Sequence, residues 1–369
     1  MKISSLELKN YRNCKDLSLN LDGKKVLIIG KNAQGKTNIL ESIFFLSTLK
    51  SPRITSNAEL INFGENSLDI SADIIKSDTD VSLAFSYNRE KQRVLKLNGL
   101  KTTPKNFKSV LKTVLFSTSD LMLLRGNPSD RRDWLDNAIS QIYPAYDERL
   151  SKYDKIRVQK NNCLKEYLKT GALNETLLDV YNEQLSITGS NIIYLRLKFL
   201  KEIEKIAAEK HKIISESEFL TIKYDSSFDI PQSTEPDDIA QNFSKVLLER
   251  KFEEMRRGQA CVGPHRDDII FCINGEDATR FASQGQQRTV VLALKLSELD
   301  IITTKTGDEP VLLLDDVLAE LDDIRQNYLL KSININTQTI ITSVDTVLFE
   351  KEFLDDVVIY KIENGNIQV

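Results

Sequence analysis

The 369-residue chain is expected to be an α/β protein: a mixed-sheet phosphate-loop core, an antiparallel β subdomain and a mostly helical inserted lobe. Three observations predict this. "GKNAQGKT" (residues 30–37) sits between an apolar run and a helical pattern. "VLLLDD" (311–316) is a second apolar run, and it ends in two carboxylates. Between them the spacing of apolar residues turns helical from about residue 130 and returns to strand-like alternation near 220.

The elements follow in order. "SLELKN" and "LSLNL" (Leu17, Leu19, Leu21) alternate as half-buried antiparallel strands do. "KKVLIIG" is continuously apolar and predicts a fully buried strand, with "TNILESIFFLSTL" as the helix after it. "SLDISADI", "VSLAFSY" (Val81, Leu83, Phe85, Tyr87) and "RVLKLNGLKT" alternate again, and Asn98-Gly99 signals a type I′ hairpin. Trp134, Leu135, Ala138, Ile139, Ile142 and Tyr146 then fall at helical spacing, with Ser129 or Asp130 as the expected cap. "YNEQLSITGSNIIYLRLKFLKEIEKIAAEKHKII" predicts a second long helix, and "STEPDDIAQN" a polar connector. Strands return at "LTIKYD" and "DDIIFCINGED", with Asn274-Gly275 as a second hairpin signal, and at "TQTIITSVD" and "DVVIYKIENGNIQV". Residues 1–120 with 300–369 are expected to form the core lobe, and 121–299 the helical lobe.

Composition narrows the function classes. With 41% apolar and 28% charged residues the chain is expected to be soluble and globular. A net charge of −4 carries no global nucleic-acid signal, so contact with DNA would need a local basic patch. Cys14, Cys163, Cys261 and Cys272 form no C-x-x-C pair, which suggests reduced thiols and a cytoplasmic location. The N-terminus lacks an apolar signal core, and no run approaches membrane-spanning length.

The loop "GKNAQGKT" matches G-x-x-x-x-G-K-[ST] without deviation. Gly30 and Gly35 permit a tight wrap, with Lys31, Asn32, Ala33 and Gln34 between them. Successive N–H groups and the helix N-terminus then face phosphates. Lys36 would bridge the β- and γ-phosphates of ATP, and the Thr37 hydroxyl would ligate Mg²⁺. A buried strand ending in Asp-Asp needs a cation or basic partner. Asp315 is therefore the second candidate for Mg²⁺, and Asp316 the group that orients or deprotonates the attacking water.

Residues 282–288, "ASQGQQR", read locally as a polar helix start. Their order relative to the other motifs gives them more meaning. A phosphate loop, then a Ser-x-Gly-Gln element, then an "LLLDD" strand resembles the head of ABC-type ATPases. Ala282, Ser283, Gln284, Gly285 and Gln286 stand against that family's Leu-Ser-Gly-Gly-Gln signature, with Ala282 in place of leucine and Gln284 in place of glycine. The resemblance implies that Ser283, Gly285 and Gln286 meet the γ-phosphate held by another subunit. "AELD" (Ala319, Glu320, Leu321, Asp322) resembles the D-loop at the dimer interface. Further segments resemble the RecF family of DNA recombination and repair proteins, SMC-type heads without the long arms. These are "LELKNYRNCKDLSLNL", "IIGKNAQGKTNILESIFFLS", "FSTSDLMLLRGNPSDRRDWLD", "YDKIRVQKNNCLK", "GPHRDD" (263–268), "ASQGQQRTVVLALKLSE" and "VLLLDDVLAELD". The resemblance implies a cytoplasmic bacterial ATPase that dimerises on ATP, hydrolyses it slowly, binds double-stranded DNA and works with RecR and RecO to load recombinase at gaps. In similar heads an arginine of the first turn approaches phosphates or DNA, which makes Arg12 in "NYRN" a candidate beside its plainer reading as an exposed turn residue.

Departures from the wider pattern matter. "LFSTSDLMLL" lacks the Q-loop glutamine, with Asp120 the nearest substitute, and Thr342, Ser343 and Asp345 stand where many relatives have a switch histidine. With Asp316 in place of the usual glutamate, this suggests a slow switch rather than a motor. His265 lies near Cys261 and Cys272 but lacks the spacing and fourth ligand of a zinc site. "GPHRDD" is expected to hold its lobe together or to face nucleotide or DNA. Two basic clusters are candidates for phosphate contact: Lys91, Arg93, Lys101, Lys105, Lys108 and Lys112, and Lys152, Lys155, Arg157, Lys160 and Lys165. No motif suggests reading of base edges. The alternatives are a transport-associated ABC subunit and an ABC-headed nuclease, and ATP-dependent retention of duplex DNA separates them from the first reading.

Overall fold

The computed structural model describes residues 1–54, 56–76, 79–347, 349 and 351–368. The chain divides into two compact units, Met1–Leu121 with Arg288–Val369, and Met122–Gln287. The first therefore resumes at Arg288 rather than at the expected residue 300, inside the helix Gln284–Thr306.

In the first unit, alternating residues build a six-stranded antiparallel sheet in the order Cys14–Asn20, Lys2–Tyr11, Ser67–Lys76, Thr79–Asn88, Arg93–Leu97, Leu100–Lys101. Asn98 (φ 50°) and Gly99 (φ 78°) turn its last hairpin in the left-handed region, as an Asn-Gly pair allows. The second sheet runs Asn366–Gln368, Val357–Glu363, Lys25–Ile29, Thr339–Ser343, Val311–Asp315, Thr113–Ser117, parallel except for the terminal strand. Lys25–Ile29 and Val311–Asp315 flank Thr339–Ser343, so the phosphate loop and the acidic strand end leave the same sheet edge. That edge, at the carboxyl ends of parallel strands, is where open α/β sheets hold ligands.

The helix Lys36–Thr48 packs into the core of this unit. Ile39, Leu40, Ile43, Phe45 and Leu46 share one apolar cluster with Leu68, Ile70, Leu83 and Phe85 of the antiparallel sheet and with Val26, Ile28, Leu313 and Ile340 of the parallel sheet. Phe45 meets Phe85 edge-on with ring centres 4.7 Å apart. A helix that is apolar on most sides is stable only when covered on most sides, and this covering fixes the position of its N-terminus.

The second unit carries the helices Pro128–Ile142, Tyr146–Thr170, Glu175–Ser215, Pro236–Glu249 and Lys251–Arg257, and a three-stranded sheet of Leu220–Asp225, Asp268–Ile273 and Glu276–Asp277. Three local expectations need correction. The first helix is capped by Asn127 in a capping box with Asp130, not by Ser129 or Asp130. Pro128 then stands at the first helical position, where its missing N–H costs nothing. The helical pattern breaks before Pro144, where Tyr143 is extended, because proline disfavours helical geometry in the residue before it. Most of the expected connector "STEPDDIAQN" belongs to a helix: Pro236 starts it, Asp237 and Asp238 suit its positive end, and Ile239, Phe243 and Leu247 are buried at four-residue intervals. Trp134 packs 6.0 Å from Phe271 and 6.4 Å from Phe199, linking helix and sheet. Among the described residues, no helix is long and apolar enough to cross a membrane.

Candidate nucleotide site

The loop between Lys25–Ile29 and Lys36–Thr48 turns on Ala33 (φ 64°) and Gly35 (φ 110°). Two close approaches explain the two glycines. A Cβ at Gly30 would lie 2.5 Å from the Ile362 carbonyl, and one at Gly35 would lie 2.9 Å from the Asn13 side chain. The loop is also tied from outside. The Gln34 carbonyl accepts from Gly365 N (2.9 Å) and Asn13 Nδ2 (3.2 Å), while Gln34 Oε1 accepts from Asn364 N (2.6 Å).

Lys36 is only 3% exposed. Its Nζ donates to the Gly30 carbonyl at 2.8 Å and stands 3.7 Å from Asp316 Oδ2. The Thr37 hydroxyl donates to Asp315 Oδ1 at 3.0 Å across 278 residues of sequence, and the Thr342 hydroxyl donates to the same oxygen at 3.0 Å. Burial pushes the Asp315 carboxyl up from its ordinary value, partly offset by these hydroxyls. Asp316 N also lies 2.9 Å from Thr342 Oγ1, while Asp316 Oδ1 is buried without a hydrogen-bond partner. Asn32, Ala33, Gln34, Gly35, Lys36, Thr37, Asp315 and Asp316 line one cavity of about 840 Å³, whose wall also includes Ala319, Glu320, Thr342, Ser343 and Asp345. A lysine, a helix N-terminus and a hydroxyl–carboxylate pair around one cavity suit a polyphosphate with a hard cation.

Residues 2–368 match the family described as RecF/RecN/SMC N terminal domain. The chain is 37% identical over 370 residues to the DNA replication and repair protein RecF of Bacillus velezensis (strain DSM 23117 / BGSC 10A6 / LMG 26770 / FZB42), covering 100% of both chains. It is 38% identical to the protein of the same name from Bacillus cereus (strain G9842), covering 100% of this chain and 98% of that one. The chain belongs to the RecF family. A solved structure of the recombination mediator protein RecF-ATP in the RecFOR pathway superposes with a TM-score of 0.91 at 34% identity, covering 100% of this chain and 97% of that one. Its RecF-ATPrS counterpart gives 0.92 at 33% identity, covering 99% and 97%. An Smc head from Pyrococcus furiosus shares the fold, with a TM-score of 0.55 at 15% identity, covering 100% and 95%.

Within this RecF-family chain, Arg12 does not line the cavity. Its guanidinium bonds both oxygens of buried Glu41, at 3.1 and 2.7 Å, and the Glu59 carbonyl at 3.3 Å. Arg53 and Asn13 line the cavity instead, and Arg53 bonds Asn38 Oδ1 at 2.9 Å. Neither residue carries a motif of its own. The only sequence signal is the polar turn "NYRN", which points to Arg12 rather than to its neighbour Asn13. Ala319 and Glu320 line the cavity, Leu321 is buried, and Asp322 caps the helix Asp323–Ser332 through Arg325 N. Glu320 also pairs with Arg288 at 3.1 Å. Asp120 holds Ser117 N at 2.7 Å and lies 3.4 Å from Lys295.

Ser283–Gln286 belong to the second unit, which includes the helix Gln284–Thr306 as far as Gln287. Ser283 and Gln284 are exposed. Ser283 N donates to Gln286 Oε1 at 2.7 Å, and Gln286 N donates to Ser283 Oγ at 3.3 Å, a reciprocal capping box. "GPHRDD" binds its own unit together. Arg131 forks onto Asp268 with two 2.7 Å bonds, and Asp267 accepts from Tyr224 Oη (2.5 Å) and Ser227 N (2.7 Å). His265 Nδ1 meets Tyr153 Oη at 2.8 Å, and burial pushes the imidazole down to about 3, so the ring stays neutral. Of the basic candidates, Lys160 is fully buried against Glu254 at 2.6 Å and cannot reach a phosphate. Lys112 is 4% exposed and donates to the Lys108 carbonyl.

Proposed function

We propose that this chain is an ATP-dependent DNA-binding protein of recombinational repair. ATP joins two copies into a symmetric dimer that clamps double-stranded DNA near single-strand gaps, with little sequence preference, and helps RecO and RecR load recombinase. Slow, DNA-stimulated hydrolysis in the bacterial cytoplasm resets it. One observation carries the reading: Lys36 and Thr37 meet Asp315 and Asp316 around one cavity, with the Thr37–Asp315 bond closing 278 residues. The RecF-ATP structure supports the ligand, and the RecFOR pathway named with it supports the partners.

The chain's own groups divide the work. The loop N–H groups and the start of Lys36–Thr48 bind phosphate oxygens. Lys36 Nζ, now on the Gly30 carbonyl, turns to the β- and γ-phosphates. The Thr37 hydroxyl and the Asp315 carboxylate, both hard oxygen donors, would hold Mg²⁺, and the unpartnered Asp316 Oδ1 fits a site built for further ligands. Held there, Mg²⁺ would supply neutralisation of the phosphate charge. Asp316 orients the water and takes its proton. Ser283, Gly285 and Gln286 of the partner copy offer a hydroxyl and a helix N-terminus to the γ-phosphate, giving two equivalent sites, as an isologous dimer requires. The γ-phosphate is then the contact that distinguishes closed from open.

Sedimentation with and without ATP tests this. Wild type is expected to dimerise with ATP and then to retain duplex DNA. Ser283→Arg is expected to bind ATP and stay monomeric. Normal dimerisation of Ser283→Arg would sink the trans role.

A further inference from the structure

We propose that Glu218 is a positioning residue for the signature serine, acting through Gln286; the inference rests on the proposed trans role of Ser283. Glu218 lies just past the end of the 41-residue helix Glu175–Ser215, after Glu216 turns left-handed at φ 65°. Its backbone N donates to Ser215 Oγ at 3.3 Å, and Ser215 Oγ donates back to the His211 carbonyl at 2.8 Å. Its carboxylate stands 3.8 Å from Nε2 of the fully buried His211 and accepts from Gln286 Nε2 at 2.7 Å. Gln286 in turn accepts from Ser283 N. All of these residues lie in one compact unit.

The chemistry of the three groups makes this a directional device. A glutamine amide can present either its oxygen or its nitrogen, but an ionised carboxylate only accepts. Glu218 therefore fixes Gln286 with Nε2 toward itself and Oε1 toward Ser283 N. That orientation completes the capping box and holds the exposed serine hydroxyl at the helix start. Without Glu218, Gln286 regains rotamer freedom and the serine loses a fixed aim. A donor at position 218 would reverse the amide and set a donor against Ser283 N.

The test is the ATP-dependent dimer dissociation constant of four variants, with single-chain ATP affinity and thermal unfolding as references. Glu218→Gln, which can still accept, is expected to dimerise within about threefold of wild type, and Glu218→Ala about tenfold more weakly, the scale of one missing charge-assisted hydrogen bond. Glu218→Lys is expected to be weaker still, with ATP affinity unchanged in all three. If Ser283→Arg blocks dimerisation while Glu218→Ala and Glu218→Lys dimerise like wild type, the inference is wrong and the trans site survives. If Ser283→Arg also dimerises normally, the underlying reading fails. Should Glu218→Ala unfold, equal dimerisation by the Gln and Lys variants overturns the proposal.

Discussion

Lys36 and Asp316 face each other across 3.7 Å, and Asp316 holds a left-handed φ of 52°. Asparagine tolerates that backbone as well as aspartate does, so Asp316→Asn removes charge and basicity with little strain. Single-turnover hydrolysis is expected to fall by about 10²-fold or more, the range of a missing general base. ATP affinity should persist, so the ATP-bound dimer should live longer by sedimentation. A variant that hydrolyses at the wild-type rate would remove Asp316 from that role. Which residues could be read from sequence follows from how they reach the cavity. Lys36, Thr37, Asp315 and Asp316 sit in contiguous motifs whose spacing encodes their placement. Arg53 and Asn13 arrive on loops without spacing rules, and Arg12 is drawn away by the buried carboxylate of Glu41, which no local pattern reveals.

At the scale of elements, the C-terminal hairpin of Val357–Glu363 and Asn366–Gln368 is part of the phosphate loop's support. Gly365 holds φ 76° and donates to the Gln34 carbonyl, and a Cβ there would lie 2.5 Å from the Asn13 carbonyl oxygen. Gly99 has a similar φ of 78° but nothing within 4 Å of its would-be Cβ. Both alanine variants incur about 1–2 kcal/mol of left-handed strain. Only Gly365→Ala must also displace Asn13 from Gln34. Calorimetry is expected to show ATP affinity lowered about tenfold in Gly365→Ala and unchanged in Gly99→Ala; equal affinities would detach the hairpin from the site. Strands were legible because alternation is a local signal, as in Val81, Leu83, Phe85 and Tyr87. The helix Pro236–Glu249 was masked by its polar, proline-bearing start, although Ile239, Phe243 and Leu247 already carried the helical spacing.

For the whole molecule, a net charge of −4 means that the proposed DNA contact would rest on local fields. Both basic clusters keep exposed cations. On the helix Tyr146–Thr170, Lys160 is buried against Glu254 and Arg157 pairs with Asp154, while Lys152, Lys155 and Lys165 are exposed. Around the hairpin at Asn98-Gly99, Lys91, Arg93, Lys101 and Lys105 are exposed. Burial first, and then Lys50, Lys112 and Arg93, push the Lys108 ammonium down to about 8. If DNA phosphates are held at the hairpin, each neutralised phosphate should add about 0.9 to the log–log salt slope of affinity. Lys101→Gln with Lys105→Gln is expected to lower the slope by about 0.9 for each phosphate left without its cation, equally on duplexes of different sequence. With the DNA at the hairpin, Lys152→Gln with Lys155→Gln should leave it nearly unchanged. Raising the pH through about 8 discharges Lys108 and should weaken binding of the wild type in the same direction. Fluorescence anisotropy at several salt concentrations, with ATP present, measures all of these, and an unchanged slope in the hairpin variant would place the DNA elsewhere.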